Sequence, residues 1–227
     1  MENTKKKYFI IIILAISNTA VYGIPCMKAQ FYDIMLHNWG FTHTQLSGLF
    51  SIYGIVCTVS YILGGFLADL APVKKIMVSS MLISGVLHVT TLFQLSYPVL
   101  CVVFGLLGLT SVMAFYPASF KILSCMQKGN ESNGIVFGMY IAFVNVVNIC
   151  IALLGVYVLN EFDQSRVVYR SMIWVYGALH FIAALLIYFC FEDGKDEEES
   201  NRVDFSLVPA LFRNKMLLMI TVIIFCN

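Results

Sequence analysis

One recurrence constrains this chain more than anything else: six stretches of twenty or more residues contain no Asp, Glu, Lys or Arg. They are Tyr8–Met27, Ser47–Ala68, Ile76–Leu95, Val99–Phe120, Ile135–Leu159 and Ser171–Phe191, with the first pattern extending helically towards His37. A bilayer core about 30 Å thick is crossed by about 20 apolar residues rising 1.5 Å each. Each run predicts a helix, because an open strand in lipid would leave its backbone groups unsatisfied. Composition agrees. With 59% hydrophobic and 12% charged residues and a mean hydropathy of +0.83, the chain lacks the polar surface of a soluble domain, which is about one quarter charged. The lipid bilayer is therefore its first partner. A net charge of +1 argues against nucleic acid as another.

The distribution of lysine and arginine predicts orientation. With the N-terminus inside, eleven bases fall in cytoplasmic segments and only Lys28, Arg166 and Arg170 fall outside. The expected location is the plasma (inner) membrane, multi-pass, with a cytoplasmic N-terminus. Lys5-Lys6-Lys7 before an apolar run resembles a secretory signal, but five further runs favour an uncleaved first span. The sequon Asn130-Glu131-Ser132 then lies on the cytoplasmic side. Seven cysteines are scattered singly with no C-x-x-C pair and read as small buried hydrophobes. No residue cluster calls for a metal or a cofactor. No H-E-x-x-H, G-x-S-x-G or paired intramembrane aspartates indicate an enzyme. A seven-helix receptor would reverse the charge bias.

Between the second and third runs, Asp69 is followed within six residues by Lys74 and Lys75. Ionisable groups this close to hydrocarbon are costly unless paired or hydrated. The stretch resembles the signature loop of the major facilitator superfamily, Gly-x-x-x-Asp-Arg/Lys-x-Gly-x-Arg/Lys-Arg/Lys. Gly65, Asp69, Lys74 and Lys75 match, whereas Leu70 and Pro72 replace a base and a glycine. The resemblance implies an all-α polytopic membrane protein with six transmembrane helices, arranged as two three-helix inverted repeats, plus the start of a seventh. It implies a six-helix bundle over 1–191 and a charged cytoplasmic linker over 192–215. The last residues, 216–227, would open a seventh helix. The linker carries seven acids and two bases between Glu192 and Asp204, typical of a solvated segment. Phe205–Phe212 reads as interfacial, and Met216–Cys226 is too short to span.

On that resemblance the function is alternating-access secondary transport of a small polar solute, anions included, by an N-terminal half. The alternative is a fragment of a truncated or split transporter, active only with its missing C-terminal or partner half. Asp69 would serve as a cytoplasmic gate latch; the plainer reading is a topology anchor. Helices one, two, four and five line the cavity in the family, which singles out mid-span polar residues. These are Asn18, Thr19 and Tyr22; Tyr53, Thr58 and Tyr61; and Tyr140, Asn145 and Asn148. The two asparagines are three apart and share a helix face.

Lys28 admits two readings. It can snorkel at the outer interface, or it can face the cavity as the substrate-binding base that the organophosphate antiporter branch carries near this place. Tyr116-Pro117 with Lys121, and Gly134-Ile135-Val136, resemble the same sugar-phosphate/organophosphate permease branch. Pro117 is expected to kink its helix. Gly134 and Gly138 read as a helix-packing pair. Val103-Phe104-Gly105 stands where many facilitators carry an arginine, and the glycine–proline motif of drug exporters is missing. His88 and His180 fall on the peripheral third and sixth helices, as buried neutral residues or as a proton relay.

Overall fold

Proline and glycine placement decides where the first span breaks. The computed structural model describes residues 2–93, 95–126, 133–162 and 165–191, without the side chains of 2–4, 62, 65, 66, 68–70, 133 and 165. The first run is two helices, α1 (Glu2–Val21) and α2 (Gly23–Trp39), bent by 52° at Tyr22. Gly23 is a weak helix former, and Pro25 has no N–H to offer the Val21 carbonyl. The single helix expected towards His37 is thus a broken one. Gly23 nests on the Tyr176 ring, where a Cβ would come within 2.6 Å of Cδ1.

Gly40 then closes α2 at φ +65°, a left-handed conformation that glycine adopts without cost. Thr42 and Gln45 form a capping box, which satisfies the first free amides of the next helix. That helix, α3 (His43–Leu70), is 28 residues long, about 42 Å. A two-residue connection, Ala71–Pro72, leads to α4 (Val73–Thr90). α4 begins three residues before the expected third span and ends five short of Leu95, in a turn over 91–93.

The fourth span is a continuous 29-residue rod, Tyr97–Cys125. It consists of α5 (Tyr97–Gly108), a seven-residue π-helical segment (Leu109–Phe115) and α6 (Tyr116–Cys125). α7 (Asn133–Phe162) and α8 (Ser165–Cys190) complete the bundle. Four of the helical rods are long and apolar enough to cross a membrane, and the bent α1–α2 pair makes a fifth. α3 covers the remaining predicted run, Ser47–Ala68. The chain is an all-α polytopic membrane protein. The acidic connection from Glu192, the stretch Phe205–Phe212, the apolar run from Met216 and the sequon at Asn130 lie outside the described residues.

Span one packs on spans five and six, span four on spans two and three, and spans three and six on each other. Exchanging the first three spans with the last three maps these contacts onto one another, whereas spans five and six also pack together without a matching contact of spans two and three among the described residues. The exchange is the one two inverted three-helix repeats produce. The α4–α8 pair is the most extensive. Gly85 lies under His180 and Gly177 under Val89, so small residues let the two backbones approach, as association in lipid requires. His88 and His180 meet there, fully buried, with ring centroids 4.4 Å apart. Each Nδ1 donates to a carbonyl of its own helix, Ser84 or Tyr176, at 2.9 and 2.7 Å. Each Nε2 is unpartnered. This is the geometry of a neutral, packed pair.

The π segment is held from two sides. On α4, Ser80 Oγ donates to the Thr110 carbonyl (2.9 Å) and Ser84 Oγ to Thr110 Oγ1 (2.7 Å). On α3, the Tyr53 hydroxyl and Ser111 Oγ are 3.2 Å apart, and Cys57 Sγ donates to the Gly108 carbonyl at 3.8 Å. Pro117, expected to kink the span, follows directly on this segment and has no N–H to give the carbonyls before it. The Val112 and Met113 carbonyls face Gly64, where a Cβ would sit 3.1 and 3.0 Å from them and 2.8 Å from Pro117 Cγ. Gly64 is thus the glycine of α3 that permits contact with the π segment. The Gly64→Ala variant should lose about 1–3 kcal/mol by overpacking, read as a lowered melting temperature of the purified protein.

Candidate solute site

Tyr22 marks the bend of the first span, and the side chains that gather beside it come from spans one, two and four. The Tyr22 hydroxyl lies within electrostatic reach of Tyr53 and Tyr61 on α3, Tyr116 on α6 and Cys57. Tyr61 and Tyr116 meet edge to face at 5.6 Å, Tyr116 stacks on Phe120 at 4.4 Å, and Phe120 on Phe137 at 5.1 Å. That aromatic ladder leads to α7. There the buried Tyr140 hydroxyl lies against Ser119, but Ser119 gives its own hydroxyl to the Tyr116 carbonyl at 2.8 Å. Tyr140 Oη itself has no hydrogen-bond partner among the described residues. Two further buried acceptors without partners, Thr19 Oγ1 on α1 and Asn148 Oδ1 on α7, belong to helices that pack on each other.

Lys28 lies farther along α2, half-buried. Its Nζ stands 4.5 Å above the Phe50 ring of α3. Phe50 and Tyr53, three residues apart, share a face of that helix, and Phe50 packs edge-on against Phe104 at 5.2 Å. The ammonium is thus turned towards α3, on the helix face that also carries Tyr53. A cation over an aromatic face gains about 0.5–2 kcal/mol depending on desolvation.

Of the residues singled out from sequence, Tyr22, Tyr53, Tyr61 and Tyr140 come to one region, and Lys28 is turned towards the same α3 face. Asn145 and Asn148 do not act together. Asn145 is exposed and donates to its own Ile141 carbonyl at 2.9 Å. Thr58 is also exposed and donates to Gly54 at 2.9 Å. Gly134 and Gly138 are exposed with nothing within 4 Å of a built Cβ. Their expected packing role is not met among the described residues, because α7 turns that face away from α1 and α8.

In the loop motif, Gly65 and Asp69 lie in the last two turns of α3, and the Asp69 side chain is outside the described residues. Lys74 stands 5.2 Å over Tyr188 of α8, whereas Lys75 is exposed. Sequence reasoning missed Ser80, Ser84, Thr110 and Ser111. Their signal was present: Ser80, Ser84 and His88 recur every fourth residue along one face of α4.

Among known proteins, the profile of the Major Facilitator Superfamily matches residues 9–227. The chain belongs to the major facilitator superfamily. It is therefore an integral membrane protein of a transporter family. It is 27% identical over 201 residues to the inner membrane protein YihN of Escherichia coli (strain K12), covering 88% of this chain and 47% of that protein. With the inner membrane protein YqcE of the same organism it shares 22% identity over 205 residues, 88% and 47% of the two chains. An uncharacterized protein of Mycoplasma pneumoniae, the MG294 homolog, is 27% identical over 150 residues, 60% and 30% of the two chains. The chain thus spans about half the length of the two Escherichia coli relatives.

In a facilitator bundle a buried acceptor without a partner is either a cost to the fold or a place reserved for a ligand. Replacing Asn148 by leucine should raise the melting temperature by relieving a penalty of about 1–3 kcal/mol. A fall in stability would show that the Oδ1 has a partner in the working protein.

Proposed function

We propose that this chain forms the N-terminal half of a secondary transporter that moves a small polar, anionic solute by alternating access. One observation carries the reading: spans one and four, which correspond to each other in the two repeats, are both irregular near mid-span, at Tyr22 and at Leu109–Phe115. Interrupted helices at corresponding places in two repeats point to a transporter binding site. The tyrosines between them supply hydroxyls at low conformational cost. Lys28 has no carboxylate partner among the described residues and supplies the charge. A lone ammonium suits a carboxylate or phosphate as a point charge, without bidentate discrimination. The resemblance to the sugar-phosphate branch supports an anionic cargo.

The cytoplasmic gate is proposed at Asp69, in the short connection to Lys74 and Lys75, with the N-terminus on the same side. Stripes of small and polar side chains support a second helical body against this one. On α3, Ser47, Ser51, Gly54, Thr58 and Tyr61 are all exposed on one line, as are Gly134, Gly138, Ile141 and Asn145 on α7. The same stripes favour a second reading, in which this chain is inactive until a separate half covers them.

Transport is tested by counterflow of phosphate esters and carboxylates in proteoliposomes. Lys28→Gln is expected to abolish uptake of the anionic solute and Lys28→Arg to retain part of it; full uptake by the glutamine variant removes Lys28 from the site. The Asp69→Asn variant should insert normally and slow transport by at least about tenfold, equivalent to about 1.4 kcal/mol on the rate-limiting transition. Unchanged turnover would leave Asp69 a topology anchor.

A further inference from the structure

At the end of the bundle opposite the Asp69 connection, the last turn of α2, the turn after α4 and the first turns of α8 enclose a cavity of about 270 Å³. It is lined by Asn38, Leu92, Phe93, Arg166 and Arg170. This is close to the lower end of the range of about 300–1,000 Å³ for ligand pockets. Two of the three bases that the charge distribution puts outside converge here, against the tendency that removes lysine and arginine from that side. Arg166 and Arg170 are one helical turn apart on α8, with Cβ atoms about 6 Å apart, and both line the cavity. Among the described residues no acidic side chain lines it, and neither arginine has an ion pair.

The walls are fixed by what lies beside them. Trp39, next to Asn38, packs on Tyr169 at 5.5 Å, on Phe41 at 5.8 Å and on Phe104 at 5.9 Å. Tyr169, between the two arginines, donates to the carbonyl of Thr91 at 3.2 Å, and Thr91 is next to Leu92. Each polar wall is therefore adjacent in sequence to one buried aromatic cluster. Both arginines are exposed, and the first turns of α8 that carry them are anchored by that cluster. Phe93, 63% exposed, gives the cavity an apolar lip. Asn38 is ten residues beyond Lys28, past the non-helical kink at Phe31, so this place is separate from the solute site.

We propose that Arg166, Arg170 and Asn38 form a binding site for a phosphate group. Two planar guanidinium forks and an amide N–H match the several oxygens of one phosphate, for which arginine is better suited than lysine. The group has two chemical sources, the headgroup of an anionic phospholipid whose chains run past Phe93, or a free phosphate. The site holds whichever solute the central tyrosines carry.

The test uses the full-length protein, purified and stripped of lipid, titrated separately with phosphatidylglycerol and with inorganic phosphate. Binding is read by thermal shift and by mass spectrometry of the intact complex. Saturable binding of phosphatidylglycerol, weakened about tenfold or more in Arg166→Gln and again in Arg170→Gln, establishes the lipid source. The same pattern with inorganic phosphate establishes the free ion. Binding of neither, or equal binding by the double variant, overturns the proposal. Should the variants fail to fold, phenylglyoxal labelling of the wild-type protein decides. Protection of both arginines by either probe supports the site, and equal labelling with and without both probes removes it.

Discussion

A bilayer core has no water to hydrogen-bond a backbone group that its own helix has abandoned, and this bundle departs from regular helix twice, at Tyr22 and at Leu109–Phe115. Both interruptions persist because neighbouring side chains and close-packed glycines compensate them. At Tyr22 the chain bends over Gly23, and the freed space is filled by Tyr176 of α8. At Leu109–Phe115 the altered ladder is tied to α4 through Ser80 and Ser84 and to α3 through Tyr53 and Cys57. Each contact alone contributes about 1 kcal/mol, but leaving the groups unmet would cost more. The irregular helices therefore fix how their neighbours must be built.

The symmetry of the packing follows from this. Two three-helix units in opposite orientations would bring the bend of span one and the π segment of span four together at the centre and pair the two third members at the edge. The central faces carry tyrosines, Lys28 and several unmet acceptors. The edge pair, α4 with α8, carries glycine, serine and two histidines whose polar atoms turn back on their own helices. The periphery is thus closed and the centre chemically available. That division is what a family built to move solutes through its middle requires.

The fold was largely legible in sequence, because hydrocarbon thickness and charge placement act on single residues and leave a local record. The six runs and a tight connection between the second and third could be read this way, whereas Tyr22, Tyr53 and Tyr140 were grouped only by the resemblance to a family. What was hidden depends on pairs. Gly65 belongs to the recognisable motif, but Gly64 meets the π segment, and only the partner's carbonyls reveal the difference. Pro117 announced an irregularity without saying that the ladder would widen before it. Asn145 and Asn148 share a face by spacing, yet one bonds its own backbone and the other has a buried, unmet oxygen. Gly134 and Gly138 carry a packing pattern whose opposite surface is not among these helices.

The exposed hydroxyls and amide on α3 and α7 have one further property. Ser51, Thr58 and Asn145 each bond a carbonyl four residues back on their own helix, at 3.0, 2.9 and 2.9 Å. The hydroxyl donors of such a surface are satisfied before anything touches it. Another helix can settle on it, slide or leave without stranding a donor, so contact and separation differ little in hydrogen-bond energy. Such a face has no preferred resting partner and behaves as a bearing.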